Sequence, residues 1–152
     1  EAVLQGPMIS GGTVDEPISR HGTQRTKMAV NPMGKEAITH YRILHRFPSH
    51  TYVRCKLETG RTHQIRVHMT HIGHPLVGDR TYAASQRLKK GVGPKLRDLL
   101  GKFDRQALHA KELTLIHPRT TETMTWEVEL PDDFVELLNT MADDQEDKDE
   151  HD

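Results

Sequence analysis

Residues 53–72 read Val-Arg-Cys-Lys-Leu-Glu-Thr-Gly-Arg-Thr-His-Gln-Ile-Arg-Val-His-Met-Thr-His-Ile, and their apolar spacing changes period partway. Val53, Cys55 and Leu57 alternate with Arg54, Lys56 and Glu58, the two-residue period of a strand with one buried face. Beyond Gly60 the apolar positions become Ile65, Met69 and Ile72, at i, i+4 and i+7, which is the period of a short helix that Gly73 stops. Thr62 is the expected N-cap of that helix. A basic strand that turns through glycine into a helix therefore predicts a fold mixing both element types.

Upstream, Ala37, Thr39, Tyr41 and Ile43 alternate with Ile38, His40, Arg42 and Leu44 until Pro48-Ser49-His50 interrupts the pattern. Residues 37–59 thus read as a hairpin with one apolar and one basic face. Glu1–Gln5 forms a short strand ending at Gly6-Pro7, and extended chain restarts at Gly11–Val14. Downstream, His74–Asp79 is a loop, Gln86–Pro94 a mobile stretch, and Leu96–Leu100 a weak helix. Leu113–His117 and Thr123–Leu130 form a second hairpin with Met124, Trp126, Val128 and Leu130 on one face. Pro131-Asp132-Asp133 starts a helix through about Met141, because proline suits the first turn and carboxylates complement its partial positive charge.

The 152 residues, 34% of them hydrophobic, suit one modest domain or part of a larger one. Mean hydropathy is −0.70, and no run approaches the roughly 18 consecutive apolar residues of a spanning helix. A secretory leader pattern is missing at the start, and a single cysteine, Cys55, fits a reducing compartment, so the expectation is cytoplasmic and without membrane contact. The net charge of −1 conceals a division. Residues 143–152 carry seven acidic side chains and one lysine and read as an acidic disordered tail, leaving residues 1–142 with 20 Lys and Arg against 15 Asp and Glu. Arg20, Arg25, Lys27, Lys35, Arg42, Arg46, Arg54, Lys56, Arg61 and Arg66 concentrate the excess in a footprint suited to a polyanion.

The glycine turn and helix start form an anion trap, with unpaired N–H groups at the first turn, Arg61 ahead of it and Arg66 one turn in. His63, His68, His71 and His74 invite a metal reading, but no thiolate accompanies them and His68 shares the apolar face with Ile65 and Met69. The expectation is no metal. Cys55 falls on an inward strand face, where packing outweighs chemistry.

The run Leu57-Glu-Thr-Gly-Arg-Thr-His-Gln-Ile-Arg-Val-His68, with His74-Pro-Leu-Val-Gly-Asp79 and Gln106-Ala-Leu-His-Ala110, closely resembles the RluA family of pseudouridine synthases. Gly12-Thr-Val-Asp-Glu-Pro-Ile18, Met28-Ala-Val-Asn-Pro-Met-Gly-Lys35 and Thr39-His-Tyr41 resemble its large-subunit ribosomal RNA member. The resemblance implies an α+β fold, a bent, mostly antiparallel sheet with flanking helices, of which residues 1–142 are the C-terminal portion of the catalytic domain. It also implies cofactor-free isomerisation of uridines in large-subunit ribosomal RNA or its precursor, by an intact enzyme that is a monomer.

By the same resemblance, Arg66 pairs with the catalytic aspartate, and Ile65 packs near the base. Arg61 contacts phosphate, while His63 and Gln64 either touch substrate or stabilise the turn. Tyr41 supports the sheet. The aspartate-bearing RLDxxTSG segment does not occur in these 152 residues, and the family's active-site tyrosine would stand just before Glu1. Asp15, Asp79 and Asp104 lack the nucleophile's context. The chain alone is therefore expected to be inactive, with a non-catalytic RNA-binding module as the alternative.

Overall fold

The computed structural model describes residues 1–83 and 92–149. Its main sheet has the order β1 (Ala2–Gln5), β6 (His50–Leu57), β5 (Ile38–Arg46), β2 (Gly12–Asp15), with every pairing antiparallel. Two separate hairpins accompany it, β3 (Ile18–Arg20) with β4 (Met28–Val30), and β7 (Glu112–Ile116) with β8 (Thr123–Glu127). The helices are α1 (Gln64–His71), α2 (Pro94–Lys102) and α3 (Asp132–Asp149). This is the mixed α+β, antiparallel architecture expected.

Alternation along β5 and β6 sorts their side chains as the sequence requires. Tyr41 faces Cys55 and Ile43 faces Val53 across the strands, while His40 faces Lys56 and Arg42 faces Arg54. The register then slips between Ile43 and His45, and such a bulge increases the local twist. On the apolar face Ile65 and Met69 of α1, with Ile72 just beyond it, close over Ala2, Leu4, Val53 and Leu76. Nearer β1 the opposite face buries Val3 and Phe47 against Leu96 and Leu100 of α2 and Phe134, Leu137 and Met141 of α3. The sheet is therefore covered on both sides at β1 and bears cations on one side at β5 and β6.

Several boundaries differ from the sequence reading. The N-cap of α1 is His63, in left-handed backbone with φ 56°, in place of Thr62. No side chain caps the helix; Gln64 instead braces the turn before it by accepting the Arg61 N–H at 3.0 Å. Helix α2 is a regular nine-residue helix, started by Pro94 in the first turn and held by the i, i+4 pair Leu96 and Leu100 in the core. Of the stretch expected to be mobile, residues 86–91 lie outside the described residues.

Helix α3 does not end near Met141, and the segment expected to be disordered is helical through Asp149. Phe134, Leu137 and Met141 anchor the helix, and extending an existing helix adds a bond for each residue ordered. Asp144 also accepts the Gly93 N–H at 2.7 Å, so the acidic end of α3 caps α2. Strand β8 stops at Glu127, and its hairpin stands clear of the rest. Leu113 lies opposite Trp126 and Leu115 opposite Met124, leaving four large apolar side chains 38–56% exposed on one face.

Buried His50 makes a pH dependence specific. It is 5% exposed, its Nδ1 lies 2.9 Å from Ser49 Oγ, and burial pushes its pKa from 6.5 down to about 4, opposed by the Asp144 charge. Below pH about 6.5 the unfolded chain takes up a proton that the folded one refuses, so this contribution is intact at neutral pH and is lost on descent towards about 4. The full loss is on the order of 3 kcal/mol. Urea unfolding of the wild type and His50→Gln at pH 7.5 and 4.5 should show a clearly smaller acid loss in the variant; equal losses would assign the effect to other groups.

Candidate functional site

Helix α1 places Arg66 against the loop that follows it. Arg66 Nε donates to Asp79 Oδ2 at 2.8 Å and Nη2 to Oδ1 at 3.0 Å, a two-pronged ion pair whose side chains are 12% and 0% exposed. The Asp79 carboxylate hydrogen-bonds to the guanidinium and, beside it, raises the Arg66 pKa further, against the opposing effect of burial. Asp79 Oδ1 also accepts the N–H groups of Thr81 at 3.2 Å and Tyr82 at 3.3 Å. Gly78 precedes it with φ +77°, and a Cβ there would collide with the Arg105 carbonyl oxygen. Only glycine fits that backbone and that contact, so Gly78 sets the turn that delivers the carboxylate.

Asp79 is fully enclosed and engaged at both oxygens, which leaves it no route to attack a sugar carbon. Its place is to hold Arg66. That residue keeps its Nη1 hydrogens and the second Nη2 hydrogen for another anion, on the edge away from Asp79.

The remaining predicted site residues gather around the same helix start. Gln64 is 3% exposed. Its Oε1 accepts from Thr59 Oγ1 at 2.7 Å and from the Arg61 N–H, while Nε2 donates to Ile38 O at 3.0 Å and Thr39 Oγ1 at 2.9 Å. Every donor and acceptor of the amide is used inside the protein. Arg61 is half-buried and gives Nε to Glu36 O at 2.8 Å, with its two terminal nitrogens left over. Ile65 packs into the core beneath the sheet.

His63 Nδ1 lies 2.7 Å from Tyr82 Oη, and Tyr82 Oη accepts the Met28 N–H at 2.9 Å. Burial, with the Arg66 charge behind it, lowers the His63 pKa while Asp79 opposes. The lowered pKa favours the neutral ring, and the tautomer protonated at Nε2 gives the Tyr82 hydroxyl proton an acceptor at Nδ1.

Three of the four histidines that suggested a metal, His63, His68 and His74, hydrogen-bond within the protein instead. Buried His68 has Nε2 at 2.9 Å from Glu16 O, where it must donate, and Nδ1 at 2.8 Å from Thr39 Oγ1. His74 Nδ1 meets Gln5 O at 2.9 Å. Among the described residues no three His, Cys, Asp or Glu side chains converge in a way that could hold an ion. Burial pushes the Cys55 thiol up to about 11, which suits its place in the core.

The basic stretch does not form one continuous face. Helix α1 covers the side of Tyr41 and Cys55, so Arg61 and Arg66 lie across the sheet from Arg42, Arg54 and Lys56. Arg54 is further engaged by Glu1 at 3.0 Å. The cations beside α1 are those of the β3–β4 hairpin, Arg20, Arg25 and Lys27, because Met28 and Val30 pack with Val67 and Tyr82. Asp79 and Tyr82 were missed as site residues. The available signal was Gly78-Asp79 one loop after the helix, with an aromatic three positions on.

Removing one charge of a buried pair strands the other. Asp79→Asn should destabilise the fold by about 3 kcal/mol. Replacing Arg66 and Asp79 together by Met and Leu should cost less than Asp79→Asn alone; additive losses in a denaturation cycle would mean the pair is not coupled.

Comparison with known proteins bears on the same region. The family described as RNA pseudouridylate synthase matches residues 2–71. Over 153 aligned residues the chain is 59% identical to ribosomal large subunit pseudouridine synthase D of Escherichia coli (strain K12) and 57% identical to that of Haemophilus influenzae, covering all of this chain and 47% of each relative. It thus spans about half the length of the curated relatives it matches. The solved structure of human RNA Pseudouridylate Synthase Domain Containing 4 superposes with a TM-score of 0.68 at 26% identity, over 93% of this chain and 60% of that one. For Domain Containing 1 the TM-score is 0.63 at 31% identity, over 86% and 52%. Its strand–glycine–helix motif, its antiparallel sheet and these likenesses agree: the chain is similar to RNA pseudouridylate synthases in sequence along its whole length and in fold.

Proposed function

We propose that residues 1–142 are the C-terminal portion of the catalytic domain of a large-subunit ribosomal RNA pseudouridine synthase. The observation that carries this reading is the 57–59% identity, along the whole chain, to relatives named ribosomal large subunit pseudouridine synthase D. In the complete enzyme the N1–C1′ bond of a chosen uridine breaks, the uracil turns over, and C5 joins C1′ while the C5 proton is released and N1 regains one. Atoms balance without a redox partner. The base must first leave its stack to be reached.

In this reading Asp79 holds one edge of the Arg66 guanidinium, and the other edge orients and keeps ionised the aspartate carried by the RLDxxTSG segment. Arg61 takes a phosphate with its two terminal nitrogens, and His63 presents Nε2–H beside it. Gln64 braces the turn, and Ile65 supports the base pocket from below. The β3–β4 cations extend the electrostatic track for RNA. The intact enzyme is a cytoplasmic monomer acting on ribosomal RNA or its precursor; among the described residues no helix is long and apolar enough to cross a membrane.

The test compares this 152-residue chain with a polypeptide of the relatives' length that carries RLDxxTSG, on a large-subunit RNA transcript. The longer protein should form pseudouridine, and the chain alone should bind RNA without forming any. Product from the chain alone would place the nucleophile among these residues, whereas no product from either would favour an RNA-binding module. In the longer protein Arg66→Met should lower single-turnover rate by about 100-fold or more with little change in RNA affinity. Arg61→Ala should weaken affinity and reduce the salt slope by about one phosphate contact. A near-normal rate for folded Arg66→Met would remove it from the chemistry.

A further inference from the structure

The loop after α1 ends in a residue to which neither motif reading nor comparison gives a task. Tyr82 touches three parts of the site at once. Its ring lies 4.9 Å beneath the Arg66 guanidinium carbon, on the face that the Asp79 pair leaves open. Its hydroxyl accepts the N–H of Met28, the first residue of β4 after the turn that carries Arg25 and Lys27, at 2.9 Å. The same hydroxyl meets His63 Nδ1 at 2.7 Å, with the two rings edge to face at 5.7 Å.

Each contact has a separate physical effect. Asp79 fixes the plane of the guanidinium in two dimensions, and the aromatic face beneath it blocks rotation out of that plane. The Met28 N–H belongs to a hairpin of three-residue strands, too short to hold a fixed place by its own ladder. Beyond apolar packing with Ala37 and Val67 and the backbone pair of Ile18 with Lys35, the hydrogen bond to Tyr82 pins that hairpin to the loop after α1. His63, in left-handed backbone, meets the same oxygen at Nδ1, and the tautomer that accepts the hydroxyl proton there carries its own proton at Nε2.

We propose that Tyr82 is a positioning residue that makes the seating of the basic β3–β4 hairpin, the tautomer of His63 and the orientation of Arg66 a single coupled arrangement. The proposal rests on the functional reading above and deepens it. RNA phosphates that engage Arg25 or Lys27 hold the hairpin in the place where Tyr82 is also held. Tyr82 in turn holds the guanidinium that must meet the catalytic aspartate. Engagement of the strand is thereby felt at the reacting centre without any contact between the hairpin and the base.

Two substitutions separate the parts. Tyr82→Phe keeps the ring under Arg66 and removes the hydroxyl; Tyr82→Leu removes both. In the 152-residue chain, Tyr82→Phe should speed amide exchange at Met28 by about tenfold and shift the His63 ring ¹⁵N resonances towards mixed tautomers, with the Arg66 Nε–H signal unchanged. Tyr82→Leu should also broaden the Arg66 signal.

In the longer, RLDxxTSG-bearing protein, Tyr82→Phe should raise KM for RNA by about three- to tenfold with kcat within about twofold, and Tyr82→Leu should lower kcat by at least about tenfold. Variants that lose thermal stability but leave KM, kcat and the His63 and Arg66 signals as in the wild type would overturn the proposal and leave the functional reading intact. Failure of the unsubstituted longer protein to form pseudouridine would overturn the functional reading; the coupled Met28, His63 and Arg66 signals then decide by themselves whether Tyr82 links these groups, and independent responses would sink that link.

Discussion

A guanidinium and a carboxylate held almost dry, Arg66 against Asp79, set the terms for everything around them. Two charges removed from water are stable together only when their geometry is good and their remaining lone pairs are answered. The structure meets both demands: two prongs at 2.8 and 3.0 Å join the pair, and two backbone N–H groups complete the carboxylate. Such a pair ties the middle of α1 to the loop after it. The turn at Gly78 and the ring of Tyr82 are arranged to suit that connection.

A second chain of polar contacts secures the same helix to the sheet. Gln64 donates to Thr39, Thr39 donates to His68, and His68 donates to the carbonyl of Glu16. All three side chains are buried, so an unmade bond here would leave a polar group without water or partner. The direction of each donation follows from the ends, because a backbone carbonyl can only accept and the Gln64 oxygen is already occupied by Thr59 and Arg61. One neutral tautomer of His68 satisfies the whole line. The motif residues that look catalytic by type are thus divided, with Gln64 and His68 turned inward as braces and Arg61, His63 and Arg66 keeping polar groups not used inside the fold.

Charge is distributed with comparable economy. The acidic residues of α3 continue the helix, and Asp144 reaches the start of α2. Arg105 and Asp133 form a further two-pronged pair at 2.7 Å where α3 begins. By contrast, the β7–β8 hairpin leaves a face of Leu113, Leu115, Met124 and Trp126 in solvent.

Local sequence was enough for the strand–glycine–helix unit and the two faces of the β5–β6 hairpin. Period two, period 3.6 and a glycine break are properties of neighbouring residues, and so is the motif around Gly60–His68. Helix limits were less legible: Thr62 has the chemistry of a cap, yet His63 takes the left-handed N-cap position with its ring bonded to Tyr82. Neither the partner of Arg66 nor the division of the basic stretch could be read in line. Asp79 lies 13 positions away across a loop, and α1 closes over only one face of the sheet, leaving Arg42 and Arg54 on the other. Spacing along the chain determines which face a side chain takes, but only packing between elements decides which faces meet.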